Sequence, residues 1–175
     1  MVVALSPQEL AKDVLNSYRD EYKDLADNWK ALDTKAQGTG AIAGVFLAAG
    51  FAWVRDLPAE FLSWQRGFLA FSLAFLALSI LFALFALWVR TIPSPPLGEV
   101  VKVLTDDLLP ALQGDESAQR ATAFVNDQVE LWRTTNTSVF GKSQRKGHWV
   151  ICSQNSLFLA AGALALLAIA SVLDS

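Results

Sequence analysis

The stretch WKALDTKAQGTGAIAGVFLAAGFAWVR, residues 29–55, decides the fold of this chain. Its polar beginning, which includes Asp33 and Lys35, runs without a proline into nineteen uncharged residues that end before Arg55. A helix needs about 20 apolar residues to cross the hydrocarbon core of a membrane. The stretch therefore predicts a helix that begins outside a membrane and continues into it.

Two more uncharged runs follow, one of twenty-three residues between Arg66 and Arg90 and one of twenty-seven between Lys146 and Asp174. Of the 175 residues, 53% are hydrophobic and 18% are charged, and an average soluble domain has about 25% charged residues. Three buried helices of a soluble protein are the alternative, but such long uncharged runs are rare in so short a chain. We predict an all-α membrane protein with three transmembrane helices and long cytoplasmic helical extensions that form a small bundle.

These runs divide the chain into six segments. In order, they are a cytoplasmic amphipathic stalk helix (1–35), a first transmembrane helix (36–54), an external loop (55–66), a second transmembrane helix (67–89), a cytoplasmic helical region (90–146) and a third transmembrane helix (149–173). Lysines and arginines near the span ends favour the cytoplasmic side. Six of them would share one side of the membrane and only Arg55 and Arg66 would lie on the other, so we predict a cytoplasmic N-terminus and an external C-terminus.

The stalk helix carries a heptad pattern. Ser6-Pro7-Gln8-Glu9 combines a capping box with a proline at the first helical position, which is typical of a helix start. Apolar residues then recur at alternating spacings of three and four, at Leu15, Tyr18, Tyr22, Leu25, Trp29, Leu32 and Ala36. We predict one helix over 7–54 and a second long helix that starts near Glu116 and leads into the third span. The two seams should face each other, and that of the second helix consists of Ala121, Phe124 or Val125, Gln128, Leu131 or Trp132, Thr135 and Val139. A short amphipathic helix is predicted over 99–113.

Four charged residues are candidates for ligand binding or gating: Asp33, Lys35, Arg120 and Arg133. A carboxylate near lipid is unfavourable unless it is paired or hydrated. Asp33 is therefore either part of an interfacial anchor, with Lys35 extending toward the head groups, or part of a gate. The two arginines either meet an anionic ligand such as a nucleotide phosphate or lie on a solvated helix face.

Six residues are candidates for helix packing: Trp29, Leu32, Gly40, Gly44, Gln154 and Asn155. Gly40 and Gly44 form a G-x-x-x-G pattern, which permits close helix contact within the chain or between subunits. Polar side chains at the start of a span, such as Gln154 and Asn155, usually face other helices or water. Packing hydrogen bonds are the favoured interpretation for them, and a pore lining is the alternative.

The composition argues against several functions. With one cysteine, Cys152, and one histidine, His148, the usual zinc sites and His-based triads cannot form within one chain. No nucleophile–base pair is evident, so we expect neither an enzyme nor a cofactor nor a metal. The net charge of −3 does not favour nucleic-acid binding. A transporter or constitutive channel is the least favoured membrane function, because no buried charge or pair of broken helices marks a transport site.

The stretch ALDTKAQGTGAIAGVFLAAG resembles small bacterial membrane proteins of the Pycsar transmembrane-effector type, which carry A-x-D-x-K-A just before a first hydrophobic helix. Ala31, Asp33, Lys35 and Ala36 match that pattern, and the resemblance covers about residues 25–90. The short motif also suits other small multi-span families, including SLATT-type effectors, and no nucleotide-binding signature appears in 91–146.

The resemblance implies an antiphage effector of the bacterial inner membrane. A cyclic pyrimidine nucleotide, made by a partner cyclase, would activate it to damage the lipid bilayer, and we expect a homo-oligomer. The alternative is a non-enzymatic membrane scaffold or adaptor whose cytoplasmic helices dock a protein partner through residues such as Trp29 and Leu32.

Overall fold

The computed structural model describes residues 7–55, 63–89, 92–94 and 117–173. This part of the chain contains three α-helices: α1 (Pro7–Arg55), α2 (Ser63–Trp88) and α3 (Ser117–Leu173). The predicted fold class is confirmed, because the described chain is all-helical and its helices are long and apolar enough to cross a membrane. The predicted helices over 7–54 and from 116 into the third span are likewise confirmed. The predicted short helix over 99–113 lies outside the described residues.

The helices contribute to two compact units. The polar unit contains the described residues 7–28, 92–94 and 117–143, and the apolar unit contains 29–55, 63–89 and 144–173. Each unit takes part of α1 and part of α3, and α2 belongs wholly to the apolar unit.

The helix ends near the predicted external loop differ from the sequence-based boundaries. The loop was predicted over 55–66, but Arg55 is the last residue of α1, and Ser63, Trp64, Gln65 and Arg66 form the first turn of α2. Charged residues mark where an uncharged run ends, whereas a helix ends where its backbone hydrogen bonds end, and the two points need not coincide. Residues 56–62 are not described.

In the polar unit, α1 and α3 pack through the two predicted seams. Of the described seam residues here, Leu15, Tyr18, Tyr22 and Leu25 are all partly buried on α1, and Trp132 and Val139 are buried on α3. The rings of Tyr22 and Trp132 meet edge to face with centroids 5.6 Å apart, a preferred geometry for aromatic pairs. The Tyr22 hydroxyl also donates a hydrogen bond to the carbonyl oxygen of Pro93 at 3.3 Å.

Asn136 is the buried polar residue of this interface. Its Nδ2 donates to the carbonyl oxygen of Tyr18 at 3.0 Å and to Oε2 of Glu21 at 2.9 Å. Its Oδ1 is buried and lacks a hydrogen-bond partner within the described part of the chain. A polar residue in a heptad seam specifies the register at some expense of stability, and Asn136 fits that role between α1 and α3.

The apolar unit is a three-helix bundle built on small residues. One core cluster joins Ala36, Ala86 and Val150, and a second joins Ala43, Leu76 and Ala160, with one residue from each helix in both. Along this series the numbering rises on α1 and α3 and falls on α2. The first and third helices therefore run parallel, and α2 runs antiparallel to both. Small residues let helix backbones approach closely where no water drives them together.

Two serines join α2 to α3 inside the bundle. Ser79 Oγ donates to the carbonyl oxygen of Ser153 at 2.8 Å, and Ser153 Oγ donates to the carbonyl oxygen of Ser79 at the same distance. Both side chains are fully buried. Reciprocal hydrogen bonds satisfy the two hydroxyls in surroundings that offer no water, so they place the two helices at one mutual register.

The outer surface of the apolar unit carries large apolar side chains. Trp88 is 80% exposed, Phe158 is 74% exposed and Val45 is 70% exposed. Water-soluble monomers rarely expose contiguous apolar patches of more than a few hundred Å². A bundle with small and polar residues inside and large apolar residues outside fits a lipid environment.

Candidate functional site

A fully buried lysine, Lys146, is the centre of the most distinctive polar cluster in the apolar unit. Its Nζ lies 2.6 Å from Oδ1 of Asp33 and donates a hydrogen bond to the carbonyl oxygen of Val89 at 3.3 Å. The same nitrogen lies 4.2 Å from the centroid of the Trp29 ring. One ammonium group therefore contacts all three helical segments of the bundle.

Each member of this lysine cluster follows from its place in a helix. Trp29 and Asp33 are four residues apart on α1, so they lie one turn apart on the same face. Val89 follows the last residue of α2, where carbonyl oxygens have no partner within the helix and need another donor. Lys146 continues the seam of α3, since it lies seven residues after the buried Val139.

The two charged residues of the lysine cluster differ in their exposure to water. The Lys146 side chain has no exposed surface, whereas 33% of the Asp33 side chain is exposed. A buried ammonium is strongly unfavourable unless a counter-charge and hydrogen-bond acceptors surround it. Lys146 has an anion, a carbonyl oxygen and the face of a tryptophan ring, a combination that suits a cation. Asp33 has water access, so it is the member that a solute can reach.

This lysine cluster can act as a clamp on the helices. Its charge-assisted contacts hold α1, the end of α2 and α3 together, and they are lost together if the helices separate. Asp33 and Lys35, considered together in the sequence, have different surroundings in the structure. Asp33 is partly buried in the clamp and Lys35 is exposed.

Lys146 itself was missed as a site residue, because in the sequence it serves only as a positive charge that bounds the third span. The expectation of no buried charge was therefore wrong. The signal that identifies it is its position in the α3 seam. Extending the heptad spacing from Val139 places a lysine where an apolar residue is expected. A charged residue at a buried seam position implies an opposing charge.

The two candidate arginines both belong to α3, in the polar unit. Arg133 is exposed and forms an ion pair with Glu130, with Nη2 and Oε1 2.9 Å apart. The hydrogen bond that Arg133 donates to Glu130 and, after it, the negative charge of that carboxylate raise the pKa of Arg133 above its usual value, so the guanidinium stays protonated. With Thr134, Thr137 and Ser138, Arg133 lines an open cavity of about 570 Å³. The side chain of Arg120 is outside the described part of the structure.

The packing candidates on α1 occupy three environments. Trp29 is 2% exposed and Leu32 packs against the Ala36 cluster, so Trp29 is not available at the surface of this chain to a partner. A Cβ atom added at Gly40 would lie 3.3 Å from Cβ of Ala83, whereas one added at Gly44 would meet nothing within 4 Å. The G-x-x-x-G pattern therefore makes one close contact within the chain rather than two.

The packing candidates on α3 also differ from each other. Gln154 is partly buried and Asn155 is exposed on the outside of the bundle. The uncharged polar residues that join two helices of the bundle are instead Ser79 and Ser153. They escaped notice in the sequence because single serines in apolar runs give no periodic signal.

Among the residues that the structure describes, no group of three or more His, Cys, Asp or Glu side chains is placed to hold a metal ion. His148 and Cys152 form a pair, with Nε2 and Sγ 3.7 Å apart on one face of α3. Two such ligands from a single chain do not complete the four-ligand shell of a structural zinc site.

The helices and their surface define the class of this protein: it is an all-α, multi-pass membrane protein with three membrane-crossing helices and a polar helical unit. Comparison with protein-family models, with curated proteins and with solved structures finds no match to this chain. Its function is therefore inferred from the site itself.

Proposed function

We propose that this protein is a membrane effector of bacterial antiphage defence, which a cyclic nucleotide activates to disrupt the integrity of the inner membrane. The observation that carries the proposal is the contact between Asp33 and the buried Lys146. Asp33 belongs to the A-x-D-x-K-A stretch on which the resemblance to such effectors rests. The residue that makes the sequence resemble an effector is thus also the one that neutralises the charge in the bundle.

In this proposal the lysine cluster keeps the bundle closed at rest. Separating Asp33 from Lys146 leaves an ammonium group among apolar side chains, so the separated state is unfavourable and little populated. A ligand shifts such an equilibrium only by binding the separated state more tightly than the closed one. Release of the clamp lets the three helices move apart or associate with other copies, and either change perturbs the bilayer.

The proposed place for the nucleotide phosphate is the cavity lined by Arg133, Thr134, Thr137 and Ser138. A guanidinium with neighbouring hydroxyl groups provides the charge-assisted hydrogen bonds that phosphate oxygens accept. Nη2 of Arg133 lies 2.9 Å from Oε1 of Glu130, so a phosphate must compete with that carboxylate for the guanidinium. This competition favours ligands of concentrated negative charge.

The location in the proposal is the bacterial inner membrane, with the N-terminus in the cytoplasm and the C-terminus outside. The support is the distribution of Lys and Arg around the spans. A cytoplasmic polar unit would meet a nucleotide made inside the cell.

Proteoliposomes test the proposal. Purified protein is reconstituted into phosphatidylethanolamine–phosphatidylglycerol vesicles that hold a potassium diffusion potential, and a potential-sensitive dye reports it. We expect cyclic CMP or cyclic UMP to collapse the potential, and linear CMP to leave it intact. Arg133→Gln should require about tenfold more nucleotide, since it removes a charged hydrogen-bond donor. Lys142→Gln is the matched control, because it removes an exposed charge from the same helix.

A potential that survives every cyclic nucleotide, in vesicles shown to contain folded protein, would contradict the effector proposal. The scaffold or adaptor function would then be preferred. Equal responses of the Arg133→Gln and Lys142→Gln variants would instead contradict the assignment of the phosphate to the Arg133 cavity.

A further inference from the structure

The outside of α3 carries a second heptad pattern, which we name the outer seam. Its residues alternate at spacings of four and three: His148, Cys152, Asn155, Leu159, Gly162, Leu166 and Ile169. All are exposed except Cys152, which is partly buried. The inner seams of α1 and α3 follow the same repeat and pack on each other. The outer seam has the geometry of a helix contact and no helix of the described chain covering it.

Asn155 lies near the middle of the apolar unit. Ser153 is level with Ser79, because the two exchange hydrogen bonds, and Ser79 precedes Trp88, the end of α2, by nine residues. At 1.5 Å per residue this is about 14 Å, and the two further residues to Asn155 add about 3 Å. A hydrocarbon core is about 30 Å thick, so with Trp88 at its edge Asn155 lies close to its centre, deeper than the predicted start of the third span at residue 149 implies.

An exposed amide at that depth faces lipid that cannot accept or donate a hydrogen bond. Asn155 has no hydrogen-bond partner within the described part of the chain. Four other polar side chains of the bundle have partners within the chain, since Ser79 pairs with Ser153 and Lys146 pairs with Asp33. Polar side chains in membrane-crossing helices normally face a partner, so the amide indicates a missing one.

We propose that the outer seam is the contact surface for a second copy of this chain, with α3 packed parallel to α3 and Asn155 hydrogen-bonded to Asn155 of the second copy. An amide both donates and accepts, so its complement is another amide at the same depth. Two copies inserted in the same direction present it there. Gly162, seven residues further on, has open space around it, which lets the two backbones approach. A lipid chain could cover the apolar residues of the outer seam, but it could not form a hydrogen bond with the Asn155 amide.

The single cysteine of the chain allows the proposed contact to be tested by disulfide crosslinking without an added label. Cys152 is in the outer seam, three residues before Asn155, so its two copies face each other in the proposed dimer. Copper–phenanthroline oxidation of native membranes should give a disulfide-linked dimer. The matched control, Cys152→Ser with Leu84→Cys, moves the thiol to an exposed position on α2 and should give little dimer.

Substitution of Asn155 then tests the amide. Asn155→Leu should raise the dimer dissociation constant, measured by lipid dilution, about three- to fifteenfold, the range for one polar contact between membrane helices. Asn155→Gln keeps an amide and should retain most of the association. Equal crosslinking at positions 84 and 152, crosslinking of Cys152 to a different protein, or an unchanged dimer in Asn155→Leu would each overturn the proposal. None of these readouts requires a nucleotide, so the result is independent of the proposed function.

Discussion

At the scale of single residues, the protein stabilises one buried cation with three unlike groups. Lys146 is surrounded by a carboxylate, a main-chain oxygen and an aromatic face. The three groups together stabilise the buried positive charge. Removing one partner of a buried ion pair is far more harmful than replacing both, because the charge that remains has no compensation. The two partners here are not equivalent, since Asp33 keeps contact with water and Lys146 does not.

This asymmetry predicts the order of two substitutions. Asp33→Asn leaves the ammonium buried without its counter-charge and should lower the free energy of unfolding by about 3 kcal/mol. Lys146→Met keeps the length of an unbranched side chain and leaves a carboxylate that water can reach, so its loss should be about 1 kcal/mol. The double variant should resemble Lys146→Met. Unfolding in detergent, followed by tryptophan fluorescence, measures all three.

The exposed pair of Glu130 and Arg133 is the control for this comparison. Its side chains are 59% and 63% exposed, so Glu130→Gln should leave the unfolding transition unchanged, as for most surface ion pairs. A larger loss for Lys146→Met than for Asp33→Asn would show that the lysine stem, not its charge, stabilises the bundle.

At the scale of elements, the period of the apolar residues predicts much of what the helices do. Every residue of the inner seam of α1, read as a heptad from Leu15 to Ala36, is partly or fully buried. Periodicity succeeds here because residues that share a face of a helix share an environment. Periodicity does not show which other helix packs against a given face. For this reason the pattern names both Gly40 and Gly44, although only Gly40 meets another helix of the chain.

The two glycines predict opposite responses to alanine. At Gly44 the added methyl group meets nothing within 4 Å, so Gly44→Ala should stabilise the protein by up to about 1 kcal/mol through helix propensity alone. At Gly40 the methyl lies 3.3 Å from Cβ of Ala83, a short side chain that cannot rotate away, so most of that gain should be lost. Thermal unfolding of the two variants side by side is the measurement. If Gly44→Ala is the less stable one, Gly44 packs against another subunit.

At the scale of the whole molecule, the distribution of positive charges predicts the direction of insertion into the membrane. The six Lys and Arg residues that flank the spans on one side would oppose only Arg55 and Arg66. The positive-inside bias is strongest for charges beside short connections, such as the one between α1 and α2. The helix order also constrains the topology, since α1 and α3 run parallel and α2 antiparallel within the apolar unit.

Reporter fusions should reveal this topology. Alkaline phosphatase, which is active only outside the cytoplasm, should be active when fused after Ser175 and inactive when fused after Gly98, beyond the second span. The physical reason is that a chain that crosses the membrane three times ends on the side opposite its N-terminus. After two crossings the chain is back on the same side as its N-terminus. The reverse pattern would place the polar unit outside the cell and would contradict activation by a cytoplasmic nucleotide.

The amino-acid sequence by itself determined the class of the protein and the extent of its long helices, except for the ends beside the predicted external loop. Runs of nineteen to twenty-seven uncharged residues match the thickness of a bilayer, and within it a lone segment can satisfy its backbone only as a helix. The tertiary structure alone decided which residues meet. Asp33 finds Lys146 more than one hundred positions away, Ser79 finds Ser153, and Asn155 points outward instead of into the bundle. A helical period assigns each side chain to a face, but the partner of that face depends on how three helices pack together.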